Sequence, residues 1–314
     1  VSIVLLSLNA VLPILMILSL GLFLKKKHII NSSFSDTATN LAFSIGFPVY
    51  LFNQMSSIET SNVLSLRFAI YLVLIMIIPP IILMIIVPKF IKNPARCGAF
   101  IQGAFRTNPV LMGAMVMQSL FPDNKLSPFF ISFIITVPLS NIMSSVVFSI
   151  FSSESKKIAP LSIICDAVMN PIIIGVLLGL IVNLLKIPIF SPIKTVNNYL
   201  AGAATPLALI SIGSQLSITQ LKNDKEHLNY CLLIKMLLLP AIGVLPMFLL
   251  GFSSIEILTV FFILGTPGTV TGYAMSRRMK SDYIFTGEII SISSVTYCFT
   301  SGIAIYLFKV FGVL

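Results

Sequence analysis

The sequence predicts an all-α integral membrane protein. Ten transmembrane helices form two inverted five-helix repeats, and crossover helices 4 and 9 are broken at mid-span. Three observations predict this. Of the 314 residues, 57% are hydrophobic and only 10% are charged. A soluble domain carries roughly 25% charged residues, so a water-facing shell cannot be built from this chain. Ten apolar runs follow one another with short loops between them. Features of the first half return in the second at a fixed offset. The composition also excludes a disordered chain, a collagen and a disulfide-knotted secreted protein.

The apolar runs fall at about 3–24, 36–56, 67–88, 97–121, 127–151, 160–185, 193–217, 229–251, 255–277 and 285–309. A helix crossing the hydrocarbon core needs about 20 residues, which these runs approach or exceed. No basic residue precedes the first run, and Lys25, Lys26 and Lys27 follow it, so it reads as a span rather than a cleaved leader. Runs 4, 7 and 9 are more polar than the rest.

Charge sets the orientation. The loops after spans 1, 3, 5, 7 and 9 hold Lys25–Lys27, then Lys89, Lys92 and Arg96, then Lys156 and Lys157, then Lys222 and Lys225, then Arg277, Arg278 and Lys280. The opposite side holds only Arg67, Lys125, Lys186, Lys194 and Lys309. Basic residues stay on the cytoplasmic side, so both termini are expected outside a multi-pass protein of the inner (plasma) membrane. The net charge of +10 is then topogenic, and nucleic acid is not an expected partner.

At a shift of 158 residues, Pro13 meets Pro171, Pro48 meets Pro206 and Pro109 meets Pro267. Asn40 meets Asn198 and Gly21 meets Gly179 at the same shift. The expected units are residues 1–156 and 157–314, five spans each. Five is odd, so the second unit enters the membrane from the opposite side, as in many secondary transporters.

Spans 4 and 9 carry the unusual chemistry. Span 4 contains Arg106-Thr107-Asn108-Pro109 and span 9 contains Thr266-Pro267-Gly268-Thr269-Val270-Thr271. Proline removes a backbone donor and glycine lowers helix propensity, so both helices should break. Non-helical backbone in a bilayer survives only where protein or a cavity surrounds it. The half-helix N-termini after the breaks present free N–H groups suited to an anion. Simple kinks are the competing reading, and Pro13, Pro48, Pro138 and Pro206 fit that description. Arg106 could bind a carboxylate or snorkel towards the cytoplasmic side. Lys235 in span 8 could snorkel or serve ion coupling. Glu288 and Asp166 are the acidic ion-coupling candidates, and Glu256 opens span 9.

Cys97, Cys165, Cys231 and Cys298 are widely spaced, form no CxxC and read as reduced core residues. His28 and His227 fall in loops. No HExxH, GxSxG, GxGD or Walker A pattern is present. Neither an enzyme, a cofactor nor a metal site is expected.

Several stretches resemble the auxin efflux carrier family, which includes the plant PIN carriers and bacterial malate and malonate permeases. The most specific is Asn170-Pro171 through Gly175 to Gly179-Leu180, similar to the family's opening of span 6. Asn108 to Gly113 resembles the first crossover segment. Thr266-Pro267-Gly268 to Asp282 resembles the second crossover with its basic exit, and Lys235 to Pro240 resembles span 8. The resemblance covers essentially the whole chain. It implies a crossover fold shared with bile-acid-type sodium symporters, and a scaffold of spans 1, 2, 6 and 7 through which a homodimer forms. It further implies an elevator-like motion of the remaining spans and small carboxylate substrates, with Asn108 near the carboxylate. Ala114-Met115 and Thr271-Gly272 depart from the family's prolines, which leaves the register of each break open. The short loop near 152–160 fits a bacterial permease. The expected function is secondary active transport of small organic anions such as malate or malonate, with proton or sodium coupling. A sodium-coupled bile-acid-type symporter, a channel and a membrane sensor are the alternatives.

Overall fold

The computed structural model describes residues 3–57, 65–121, 126–151, 169–215 and 225–314. Asp166, Cys165, Lys125, Lys156, Lys157 and Lys222 lie outside them. The described residues form helices and no strand.

Helix α1 (Ile3–Lys26) ends at its own lysines, and His28 at φ 58 turns the chain. Asn31 caps α2 (Ser32–Leu41), its side chain accepting the Phe34 amide at 2.8 Å. A π-helical turn, Ala42–Gly46, joins α2 to α3 (Phe47–Ser56). Pro48 sits in the first turn of α3, where its missing N–H costs least. Helix α4 (Leu66–Ile86) carries Pro79 and Pro80 in its interior. Asn93 caps α5 (Pro94–Phe105). After a break, a π-helical turn Pro109–Gly113 leads into α6 (Ala114–Leu120). Helices α7 (Ser127–Ile131) and α8 (Phe133–Phe151) run on from each other.

The second half continues with α9 (Pro171–Leu184) and α10 (Ser191–Gln215). Helix α11 (Lys225–Leu233) passes through the π-helical turn Ile234–Leu238 into α12 (Leu239–Leu249). Helix α13 (Ser254–Leu264) starts with a Ser253/Glu256 capping box, which accounts for Glu256 as a cap. A second break separates it from α14 (Val270–Arg278), and α15 (Tyr283–Val310) closes the chain.

Among the described residues, four stretches are long and apolar enough to cross a membrane: Leu66–Lys89, Ser127–Phe151, Lys225–Leu249 and Tyr283–Val310. Pro171–Leu184 and Ser254–Leu264 are apolar but shorter. Ile70, Leu74, Ile78 and Ile85 on α4, and Ile174, Leu178 and Ile181 on α9, all face outward. A soluble monomer does not tolerate apolar faces of that extent, whereas lipid does.

The helices pack in two groups. In one, α3 lies along α9, α1 along α10, and α10 also against α2. In the other, α8 packs on α4 and α5, α12 on α13, and α15 on α5, α11 and α14. Within the second group Arg96 pairs with Asp282 at 2.8 Å and stacks over Phe285 at 3.5 Å. This joins the start of α5 to the start of α15. Contacts of α1 with α6 and α15, α3 with α7, and α8 with α9 connect the groups.

Two close approaches recur at one offset. A Cβ built on Gly21 would lie 2.2 Å from the Ile210 carbonyl oxygen, and one on Gly179 2.6 Å from that of Phe52. Gly179 and Ile210 each lie 158 positions after Gly21 and Phe52, the offset that also separates Asn108 from its bonded partner Thr266. Only glycine allows backbones this near, as at small-residue contacts between membrane helices.

Among the described residues the core falls into two apolar clusters. One holds Val110–Met112, Phe129, Phe133 and Phe262. The other holds Cys97, Phe100, Ile101, Phe105, Cys231 and Phe285. The two breaks form the polar seam between them.

Candidate functional site

The first break is set by Asn108-Pro109. Arg106 turns to an extended backbone (φ −68, ψ 126), Asn108 lies outside the helical region, and helical geometry resumes at Pro109. The second runs over 265–269, from the end of α13 to Thr269, the cap of α14. Pro267 cannot donate to the Ile263 carbonyl one turn back, and the Thr266 hydroxyl donates to it instead at 2.8 Å. The same Thr266 oxygen accepts the Asn108 amide at 2.9 Å. Thr266 of the second break therefore satisfies one freed backbone group of each break.

Arg106 ties them again. Its Nε donates to Thr269 Oγ1 at 3.1 Å, Nη2 to Thr271 Oγ1 at 3.2 Å and Nη1 to Ser144 Oγ at 3.3 Å. Thr269 Oγ1 also accepts the Gly272 amide at 3.0 Å as cap of α14. Arg106 is 5% exposed and Lys235 0%. Neither snorkels, which corrects that expectation. Arg106 stays because three hydroxyls solvate its guanidinium. Lys235 stays because its Nζ donates to the Arg106 main-chain carbonyl.

A cavity of about 750 Å³ opens against this seam, within the roughly 300–1,000 Å³ common for small-molecule sites. Arg106, Thr107, Asn108, Pro109, Thr269 and Thr271 all line it. Thr266 and Gly268 are buried behind the wall with Pro267. Met275, Arg278, Met279 and Lys280 line the cavity at the far end of α14, on the side of the predicted cytoplasmic loops. No carboxylate is on the wall among the described residues. Glu288 is half-buried on α15, off the wall and with a contact of its own. Asp166 lies outside the described residues.

Sequence reasoning missed one wall. Thr136, Ser140, Asn141 and Ser145 on α8, with Asn40 and Ser44 from the α2–α3 region, complete the lining. Thr136, Ser140 and Ser144 stand four residues apart, a one-face stripe visible in the sequence. Asn170, singled out at the opening of span 6, lines the cavity too.

The arrangement favours negative charge. The N-terminal ends of α14 and of the helix resuming at Pro109 both abut the seam, and neither has an acidic residue in its first turn. A helix N-terminus carries partial positive charge, and here a guanidinium adds to it. The Asn108 Nδ2 and Ser140 Oγ are buried beside it without partners. Buried polar groups are normally paired, so these two can bond a ligand or water in the cavity.

The family described as membrane transport protein matches residues 6–300. No curated protein matches the chain. Cys97, Cys231 and Cys298 are buried and free, and no cluster of His, Cys, Asp or Glu could hold a metal among the described residues. A cavity with polar groups at two helix breaks in an apolar helical bundle, matched over nearly its whole length by a transport family, leads to one assignment: the chain belongs to the membrane transport protein family, that of the auxin efflux carriers.

Proposed function

We propose that the protein is a secondary active transporter of small organic anions bearing carboxylates, malate or malonate among them. The observation that carries this is Arg106, buried on the cavity wall and held by three hydroxyls and, among the described residues, by no carboxylate. A buried cation without a counter-charge is costly unless its ligand supplies one. The unpaired Asn108 amide beside it supplies a further donor for a carboxylate.

The chain threads the inner membrane ten times as two inverted halves, with both termini outside. The 158-residue offset of the glycine contacts and of the Asn108–Thr266 bond supports this. The group containing α1–α3, α9 and α10 is the scaffold and the homodimer interface. The other group carries the seam across the membrane in an elevator-like motion, coupled to a proton or sodium gradient. The close packing of α3 on α9 and of α1 on α10 supports the scaffold, and α1 also lies along α15 of the other group.

Asn108→Ala, expressed and folded, is expected to lose carboxylate uptake in proteoliposomes. Uptake equal to wild type would remove Asn108 from the site. Uptake with and without a sodium gradient, and with and without a pH gradient, identifies the coupling ion.

A further inference from the structure

Lys235 is fully buried and away from the cavity wall. It sits in the π-helical turn Ile234–Leu238, where the wider turn changes the register of span 8. In an unbroken helix the Arg106 carbonyl would accept the amide four residues on. The chain leaves the helix at Phe105, so that bond is missing, and a freed carbonyl inside a membrane must find a donor. Lys235 Nζ provides it. One turn earlier, the Cys231 thiol reaches the Phe100 carbonyl at 3.6 Å, so this face of span 8 lies along α5. Arg106 is thus pinned at its carbonyl by Lys235 and at its guanidinium by Ser144, Thr269 and Thr271.

The device belongs to one half only. The position 158 residues before Lys235 is Ile77. The second break is closed by its own Thr266, without a cation. We propose that Lys235 is a positioning residue that holds the first break in register and supplies a second positive charge behind Arg106, so that the site favours doubly charged over singly charged carboxylates of the same skeleton. This rests on the reading of the cavity as a carboxylate site. Among the described residues neither side chain meets a carboxylate, and two adjoining basic groups with positive helix ends discriminate by ligand charge.

The test uses the full chain in proteoliposomes, with malonate and its monomethyl ester as competitors in exchange. The wild type is expected to prefer malonate by about tenfold or more, and Lys235→Met to cut that preference about tenfold, through a raised KM for malonate. Lys235→Arg restores it. Lys235→Gln keeps a donor for the Arg106 carbonyl but removes the charge, and must lower the preference as well. A merely structural lysine would change the amount of active carrier and leave the ratio alone. An unchanged ratio in Lys235→Met or Lys235→Gln, or a wild type with no preference, overturns the proposal. If the wild type recognises neither compound, the proposal falls; if it also exchanges none of a wider carboxylate panel, the carboxylate reading falls with it. Should Lys235→Met not fold, the wild-type ratio and the Gln variant still decide.

Discussion

Thr266→Val probes the joint between the breaks. Valine has threonine's shape, so the perturbation is the loss of one oxygen. That oxygen accepts the Asn108 amide at 2.9 Å and donates to the Ile263 carbonyl at 2.8 Å, at a residue that is 0% exposed. Neither group has an alternative: Asn108 precedes a helix start, and Pro267 has no N–H to give Ile263. Each buried polar group left unpaired costs about 1–3 kcal/mol, so the variant, which leaves two, should lose roughly 2–6 kcal/mol. The destabilisation falls on the seam, where Asn108 and Arg106 must be held in place. Thermal unfolding in detergent should show a lowered midpoint, and carboxylate exchange should fall at least tenfold, while Thr266→Ser retains both. A Thr266→Val protein with wild-type midpoint and exchange would refute Thr266 as the joint between the two breaks.

Gly179→Ala places a Cβ 2.6 Å from the Phe52 carbonyl, and Gly21→Ala places one 2.2 Å from that of Ile210. Both should lower the unfolding midpoint by similar amounts, because backbone rather than a flexible side chain must move; tolerance of both would discount these contacts. For topology, single cysteines at Lys26 and Lys280 in a cysteine-free background should label only from the cytoplasm, and one at Lys309 only from outside. Labelling of Lys26 and Lys309 from the same side would undo the proposed orientation.

Much of the seam was legible because proline and glycine act locally. Pro109 and Pro267 remove a specific donor wherever they stand, and the residues beside them must compensate. The prolines also revealed the 158-residue offset that the Gly21 and Gly179 contacts share. The fate of the cations was not legible. Arg106 leaves the helix at the break, so helical spacing from Arg96 gives no guide to its direction. Lys235 is turned by a π-helical turn that apolar periodicity does not announce. The stripe Thr136, Ser140, Ser144 was present in the sequence, but small hydroxyls at that spacing also serve helix packing. Glu288 was prominent as an acidic residue in a span, and the fold keeps it off the cavity wall.

The most direct test is exchange of labelled carboxylates in proteoliposomes, wild type against Arg106→Gln, across a panel of mono- and dicarboxylates. The substitution keeps a polar side chain but neither the charge nor the three-way bonding to Ser144, Thr269 and Thr271. Saturable exchange of at least one carboxylate by the wild type, lost in a folded Arg106→Gln protein, is the predicted result. Wild-type protein that exchanges none of the panel, or Arg106→Gln protein that exchanges as well as wild type, would contradict an anion site at the two breaks.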